Sequence, residues 1–206
     1  MKAADLDAVT LDAHGTLVTI ADPVPALTTA LSERGVKRTP EAVLAGFQAE
    51  VAHYAPRASE GHDEESLARL QRECVGVFLD EVDARLVPDE FVPAYIGALH
   101  FDVLPGVVAS LDRLRALGLE LAVVANWDLS LHPLLYEVGL ARYFRVMVHA
   151  ARKPAPDGLL RALGHLQVDP GRALHIGDDD ADRNAAAAAG MRFASAPVPA
   201  AVGTIR

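Results

Sequence analysis

Leu6-Asp7-Ala8-Val9-Thr10-Leu11-Asp12-Ala13-His14-Gly15-Thr16-Leu17 decides how the rest of the chain is read. Leu6 to Leu11 is a short, mostly apolar run, as expected of a strand buried in a parallel sheet. It stops in a glycine turn and leaves one carboxylate, Asp12, at its carboxyl end. In open α/β sheets that end is where ligands bind. Ala173-Leu174-His175-Ile176-Gly177-Asp178-Asp179-Asp180-Ala181-Asp182 repeats the order: apolar strand, glycine, carboxylates. Two strands offering carboxylates into one crevice predict a site for a hard cation, because Mg2+ prefers oxygen ligands.

The stretches between these two complete an alternating pattern. Val18 to about Leu99 has a helical texture: Pro25 to Arg34 up to Gly35, then a helix from Thr39-Pro40 to Tyr54, closed by Pro56. Thr39 is the expected N-cap, with Pro40 at the first helical position. Ser59 to Asp63 reads as a loop, and Glu64 to Leu86 as a long amphipathic helix with Leu67, Leu70, Cys74, Val77, Phe78 and Val82 on one face. Pro88 to Leu99 is one helix more. Past Leu104-Pro105-Gly106, strands at Leu119–Ala125, Val146–Val148, Ala173–Ile176 and Arg192–Ala194 alternate with helices at Val107–Leu117, Leu131–Val138, Asp157–Leu166 and Asp180–Ala189. Strands separated by helices predict an α/β fold with a doubly wound parallel sheet. The expected division is a core of residues 1–17 and 100–206 with an all-helical insertion over 18–99.

The chain has 206 residues and a formal net charge of -9, with a pI of about 5.3. This acidic balance argues against sequence-independent binding of nucleic acid. The amino terminus lacks an apolar signal core, and no apolar stretch reaches ~18 residues. A cytoplasmic protein with no membrane partner, monomeric or homodimeric, is the expectation. Cys74 is the only cysteine, so an internal disulfide is excluded. It falls in an apolar helical pattern and reads as a packing residue.

The spacing from Gly177-Asp178 through Asp182 to Ala189-Gly190-Met191 resembles the haloacid dehalogenase superfamily, and so does Asp-x-x-Gly-Thr-Leu over residues 12–17. An apolar strand ending in Asn126-Trp127-Asp128, and Lys153-Pro154-x-Pro156 after Val146–Val148, supply two further signals in the family's order. The four cover nearly the whole chain. The resemblance implies a Rossmann-like core, and it makes the insertion a cap that closes over the site and sets substrate choice.

It also implies roles for named residues. Asp12 is the expected nucleophile, since a carboxylate can attack phosphorus and split one hard step into two. Asp12 and Asp178 are the expected carboxylate ligands of Mg2+. The main-chain carbonyl of His14 joins them, and Asp182 stands behind, holding waters or Lys153. Lys153 is the expected cation that neutralises phosphate oxygens and positions Asp12. The Asn126 amide, with main-chain N–H groups, is placed to hold a phosphate oxygen. Asp179 and Asp180 read instead as acids at a helix start.

Two positions depart from the family. Ala125 stands where a Ser or Thr hydroxyl usually binds the transferring phosphate. His14 stands where phosphatases of the superfamily carry an aspartate as general acid and base, work worth ~10²–10⁴-fold. An imidazole can do the same near neutrality, or the position can be idle. In the insertion, Tyr54, Arg57, His62, Asp63, Arg69 and Arg72 cluster in sequence, and one or two of them are candidates to face substrate. The function implied is a Mg2+-dependent hydrolase of small phosphomonoesters through an aspartyl-phosphate on Asp12. The alternatives are a catalytically impaired binding or regulatory protein on the same fold, and a haloacid dehalogenase, whose leaving halide needs no acid and whose reaction needs no metal.

Overall fold

The structure, a computed structural model, describes residues 2–206, the side chain of residue 3 excepted. The chain forms two compact units, residues 1–19 with 102–206, and residues 20–101.

The first unit holds a five-stranded parallel sheet. Its strands are β1 (Ala8–Leu11), β4 (Glu120–Val124), β5 (Val146–Val148), β6 (Ala173–Gly177) and β7 (Arg192–Ser195), in the order β5-β4-β1-β6-β7. β1 is central and pairs in parallel with β4 on one side and β6 on the other. Every residue of β1 and β6 is buried, which explains their near-continuous apolar runs. Successive side chains alternate between the sheet's faces. Ala8, Ala122, Val124 and Ala173 face one layer, formed by α7 (Asp157–Leu166) and α8 (Asp180–Ala188). Small side chains on both sides, among them Ala185, Ala186 and Ala189, let that layer approach closely. On the rest of the unit, α5 (Val107–Ala116) packs on α9 (Val198–Gly203) and on β4, and α6 (Leu131–Glu137) follows β4 in the chain.

Strand β2 (Val18–Ile20) pairs with β3 (Phe101–Val103) in a separate two-stranded ribbon. This corrects the helical reading that began at Val18. These strands have three residues each, too few for an alternating pattern to show.

The second unit contains α1 (Val24–Ser32), α2 (Pro40–Tyr54), α3 (Glu64–Glu81) and α4 (Pro88–Gly97). Thr39 caps α2 as its sequence predicts, its side chain accepting from Ala42 N at 3.3 Å. Residues Ala55–Glu60 form a 3-10 helix rather than a break followed by a loop. Helix α3 stops at Glu81, five residues short of the expected Leu86. Asp83 takes a left-handed conformation, φ +49, and the N–H groups of Ala84 and Asp83 bond the carbonyls of Leu79 (2.8 Å) and Asp80 (3.0 Å). That double bond pattern terminates a helix. Arg38 Nε donates to the Val82 carbonyl at 2.5 Å and satisfies a further helix-end acceptor. Phe78, Phe91 and Tyr95 form the aromatic centre of this unit, with Phe78 and Tyr95 ring centroids 4.9 Å apart.

Candidate active site

The functional candidates gather at the carboxyl ends of β1, β4, β5 and β6. Asp12 follows β1 and continues its ladder, its N–H bonding the Ile176 carbonyl at 2.9 Å. Its side chain is buried and accepts from Lys153 Nζ. Gly15 then turns the chain at φ +75. A Cβ at this glycine would stand 2.4 Å from an Asp178 carboxylate oxygen, so the turn is glycine for closeness as well as for handedness. The next residue, Thr16, donates its hydroxyl to Asp178 Oδ1 at 3.2 Å.

Gly177 performs the same service after β6. A Cβ there would lie 2.2 Å from the Asp182 carboxyl carbon. Asp179 caps α8, accepting from Asp182 N at 2.9 Å, as expected of a helix-start acid. This folds Asp182 back under the strand end, where it is buried. Its Oδ1 accepts from Lys153 Nζ and from His175 Nε2, the latter at 2.9 Å, and its Oδ2 accepts from Asp178 N at 3.2 Å.

Lys153 is therefore shared by two carboxylates, itself buried. Its backbone is held by Asn126 at the end of β4. Asn126 Nδ2 donates to the Lys153 carbonyl at 2.8 Å, and Lys153 N donates to Asn126 Oδ1 at 2.7 Å. The structure thus gives Asn126 a further task, holding the Lys153 backbone, beside the one its sequence position suggested. The amide oxygen and one amide hydrogen are spent on Lys153, and only the second hydrogen is left to meet a phosphate. Ala125 is buried and offers no side-chain donor. His14 is exposed, its ring centroid 6.5 Å from that of Trp127.

Burial sets the electrostatics. It is the largest influence on Asp12 and pushes the carboxyl up to about 7, against the Lys153 charge and with the help of the neighbouring Asp182. Burial acts on Asp182 in the same direction, but the His175 hydrogen bond and the Lys153 charge outweigh it, holding this carboxyl well below the usual range. Lys153 loses solvent, yet its two carboxylates raise it above the ordinary lysine value. His175, also buried, is pushed down toward the neutral form.

Carboxylate oxygens of Asp12, Asp178 and Asp182 lie within 4.8 Å of one another, Asp178 being exposed. Three carboxylates against one ammonium leave the cluster negative. This donor set of hard oxygens could hold a divalent cation, and it fits Mg2+.

Thr10, Thr16 and His175 were not read as site residues in the sequence. The signal was available: Thr10 precedes Asp12 by two residues and His175 precedes Gly177 by two. The period of a strand puts each on the same side as the group that follows. In the helical unit, several candidates are committed to its own structure. Arg57 pairs with Glu60 (2.9 Å) and Glu73 (2.6 Å), Arg72 with Asp89 (2.5 Å), and Asp63 caps α3. His62 bonds the Glu60 carbonyl at 2.8 Å. Arg69 is exposed and Tyr54 half-buried.

A central parallel sheet ending in this cluster of carboxylates and one buried lysine defines a Rossmann-like α/β core with an acidic site at its strand ends. The sequence matches the haloacid dehalogenase-like hydrolase family over residues 6–190, and the chain belongs to that family as a phosphatase-like member. It is 34% identical to a plasmid phosphoglycolate phosphatase of Cupriavidus necator, over 89% of this chain and 78% of that protein. It is 29% identical to an N-acetylmuramic acid 6-phosphate phosphatase of Pseudomonas aeruginosa, over 95% of this chain and 83% of that one. Across the first relatives matched, the aligned part spans between 35% and 83% of the relative's own length. Among solved structures, a β-phosphoglucomutase-like protein from Thermotoga maritima shares the fold with a TM-score of 0.66 and 20% identity, over 96% of this chain and 92% of that one. Among the described residues no helix is long and apolar enough to cross a membrane.

Proposed function

We propose that this chain is a Mg2+-dependent hydrolase of small phosphomonoesters that works through an aspartyl-phosphate on Asp12. The observation that carries this reading is the Asp12 carboxylate at the end of the central strand, bonded to buried Lys153 and beside Asp178 and Asp182. Relatives named for phosphoglycolate and for N-acetylmuramic acid 6-phosphate support phosphate esters as the substrate class. The carboxylate set favours this reading over halide displacement, which needs no metal.

In the first step an ionised Asp12 oxygen attacks phosphorus. The ester P–O bond breaks, and the leaving oxygen departs with the bonding pair. Where His14 serves as acid and base, its imidazolium gives that oxygen a proton, and the neutral imidazole then takes one from the water that attacks the phosphorus of the aspartyl-phosphate. Where His14 is idle, solvent water supplies and removes these protons. Inorganic phosphate is released and the Asp12 carboxylate is restored. Lys153 meets the negative charge on the phosphate oxygens while holding Asp12. Asn126 keeps the Lys153 backbone in place, and its remaining amide hydrogen is available to a phosphate oxygen. Asp12, Asp178 and the His14 carbonyl would hold Mg2+, with Asp182 behind them through Lys153. Bound there, the ion would offset the charge of the phosphate oxygens. The helical unit, inserted between β1 and β4 where the family carries its cap, belongs to the same reading as the cap.

A second reading is a binding or regulatory protein on the same fold, supported by Ala125 and by the exposed His14 in place of an acid. One experiment separates the two. Phosphate release is measured from a panel of phosphate esters with excess Mg2+, after chelation, and with Asp12→Asn. The phosphatase reading expects turnover of at least one ester, abolished by chelation and by the substitution. Turnover that survives either treatment overturns it, and a wholly inert protein leaves the binding reading in its place.

A further inference from the structure

Thr10 and His175 are in-register neighbours on β1 and β6, both fully buried. The Thr10 hydroxyl lies 2.8 Å from His175 Nδ1, and His175 Nε2 lies 2.9 Å from Asp182 Oδ1. An ionised carboxylate only accepts, so Nε2 carries the proton and donates. In a neutral ring Nδ1 then accepts, and the Thr10 hydroxyl is its donor. The Phe193 ring, 6.3 Å from the imidazole, packs beside it. The oxygen that receives Nε2–H is the same oxygen that receives Lys153 Nζ. The other Asp182 oxygen is held by Asp178 N–H. Asp182 is thereby fixed from three directions, and one lone pair of its Lys153-facing oxygen is already taken by a neutral donor. It holds the ammonium from one side while Asp12 holds it from the other.

We propose that Thr10 and His175 are positioning residues: they set the orientation of Asp182 and through it the placement of Lys153 against Asp12. The proposal rests on the reading of Asp12 and Lys153 given above. A line of hydroxyl, imidazole, carboxylate and ammonium runs from the middle of the sheet to the nucleophile. Nothing in it touches substrate, so its loss acts on the geometry of the groups that do. A fixed partner of this kind is commonly worth ~10–100-fold in activity.

The test uses the full chain with Mg2+ and p-nitrophenyl phosphate, and three variants. His175→Leu fills the space and removes the donor. His175→Gln keeps an N–H where Nε2 stands. Thr10→Val removes only the hydroxyl. His175→Leu is expected to lower kcat by about 10-fold or more, His175→Gln to recover most of that loss, and Thr10→Val to fall between. A purely packing role would be met as well by Leu as by Gln. The proposal is overturned if His175→Leu turns over like the parent, or if His175→Gln is as slow as His175→Leu. Should His175→Leu fail to fold, the comparison of His175→Gln and Thr10→Val with the parent decides: rates of Thr10→Val equal to the parent's reject the proposal.

A second readout needs no turnover. The 15N spectrum of the metal-free parent should show His175 as a single Nε2–H tautomer, held by the Asp182 carboxylate, and Thr10→Val should move the Nδ1 resonance because that nitrogen loses its donor. An Nδ1–H ring in the parent, or an Nδ1 resonance unmoved in Thr10→Val, overturns the proposal. If the parent is inert to the probe, the phosphatase reading fails, and the tautomer measurement alone decides this one.

Discussion

Lys153 Nζ is bonded to one carboxylate oxygen of Asp12 and to one of Asp182, so a single buried ammonium joins the end of β1 to the start of α8.

Removing that ammonium leaves two buried acids facing each other. Lys153→Met should abolish measurable turnover, a loss of about 10²-fold or more. It should also destabilise the protein, by ~3 kcal/mol or more where both acids are ionised. Asp12 is already pushed up to about 7 by burial, and a raised acid is better tolerated below that pH than above it. The destabilisation should therefore be largest at pH 8 and shrink as the pH falls through 7. Denaturant titrations of parent and variant at pH 8 and pH 5.5 check this; a penalty that grows toward low pH would contradict it.

Gly15→Ala adds a methyl group that would reach within 2.4 Å of the Asp178 carboxylate, at a backbone angle disfavoured for alanine. The strain costs about 1 kcal/mol. The displaced Asp178 should weaken the cation site more than it weakens the fold. Half-saturation by Mg2+ in the activity assay is expected to rise by about 10-fold, for a Tm lowered by only a few °C. A variant with parental Mg2+ dependence would show that Asp178 does not hold the ion.

His14 makes a prediction about leaving groups. If the imidazole supplies the proton, alkyl phosphates are hydrolysed, and His14→Ala loses that activity by ~10²-fold or more while aryl and acyl phosphates suffer less. If the position is idle, the parent already prefers aryl and acyl phosphates and shows a burst followed by slow turnover. His14→Asp then raises the rate on alkyl phosphates by about 10-fold or more. Rates on one alkyl and one aryl ester, for parent and both variants, distinguish the two outcomes.

Glu50 on α2 offers a stability test in the helical unit. It is buried beside Cys74 and Tyr95, and burial pushes its carboxyl up, opposed in part by the Tyr95 hydroxyl and the Cys74 thiol. The Tyr95 hydroxyl faces this acid without a hydrogen bond of good geometry. An acid whose folded value is raised adds stability at low pH that is lost as the pH rises through that value. Glu50→Gln should therefore raise Tm by a few °C at pH 8, with the gain fading toward pH 4. Thermal unfolding at several pH values reads it directly, and a gain confined to low pH would refute the assignment.

Several of these elements were legible in the sequence because local signals agreed. Val146–Val148 and Asp157–Leu166 have the bounds their patterns suggest, and Thr39-Pro40 starts α2 as its residue types dictate. The end of α3 was not legible. The apolar spacing runs on through Val82 and Leu86, and the stop is made by Asp83 rather than by a glycine, with help from Arg38 across the unit. The same limit applies to the site. Strand ends and glycines announced Asp12, Asp178 and Asp182 as neighbours. That Asn126 would spend its amide on Lys153, 27 residues away, depends on β4 and β5 lying side by side, which no local pattern encodes.

The pairing of β2 with β3 brings the two points where the chain leaves and re-enters the sheet unit next to each other. Ala21 N bonds the His100 carbonyl at 2.9 Å, and Leu104 N bonds the Leu17 carbonyl at 2.9 Å, one at each end of this ribbon. Everything from residue 22 to residue 99 is thus spliced into a single hairpin-like junction. Such a junction makes the insert a cassette: a longer, shorter or different set of helices can be grafted there without altering the order of the sheet or the spacing of its strand ends. The helices of the insert can then change over evolutionary time while the strand order that positions Asp12, Lys153 and Asp178 is kept.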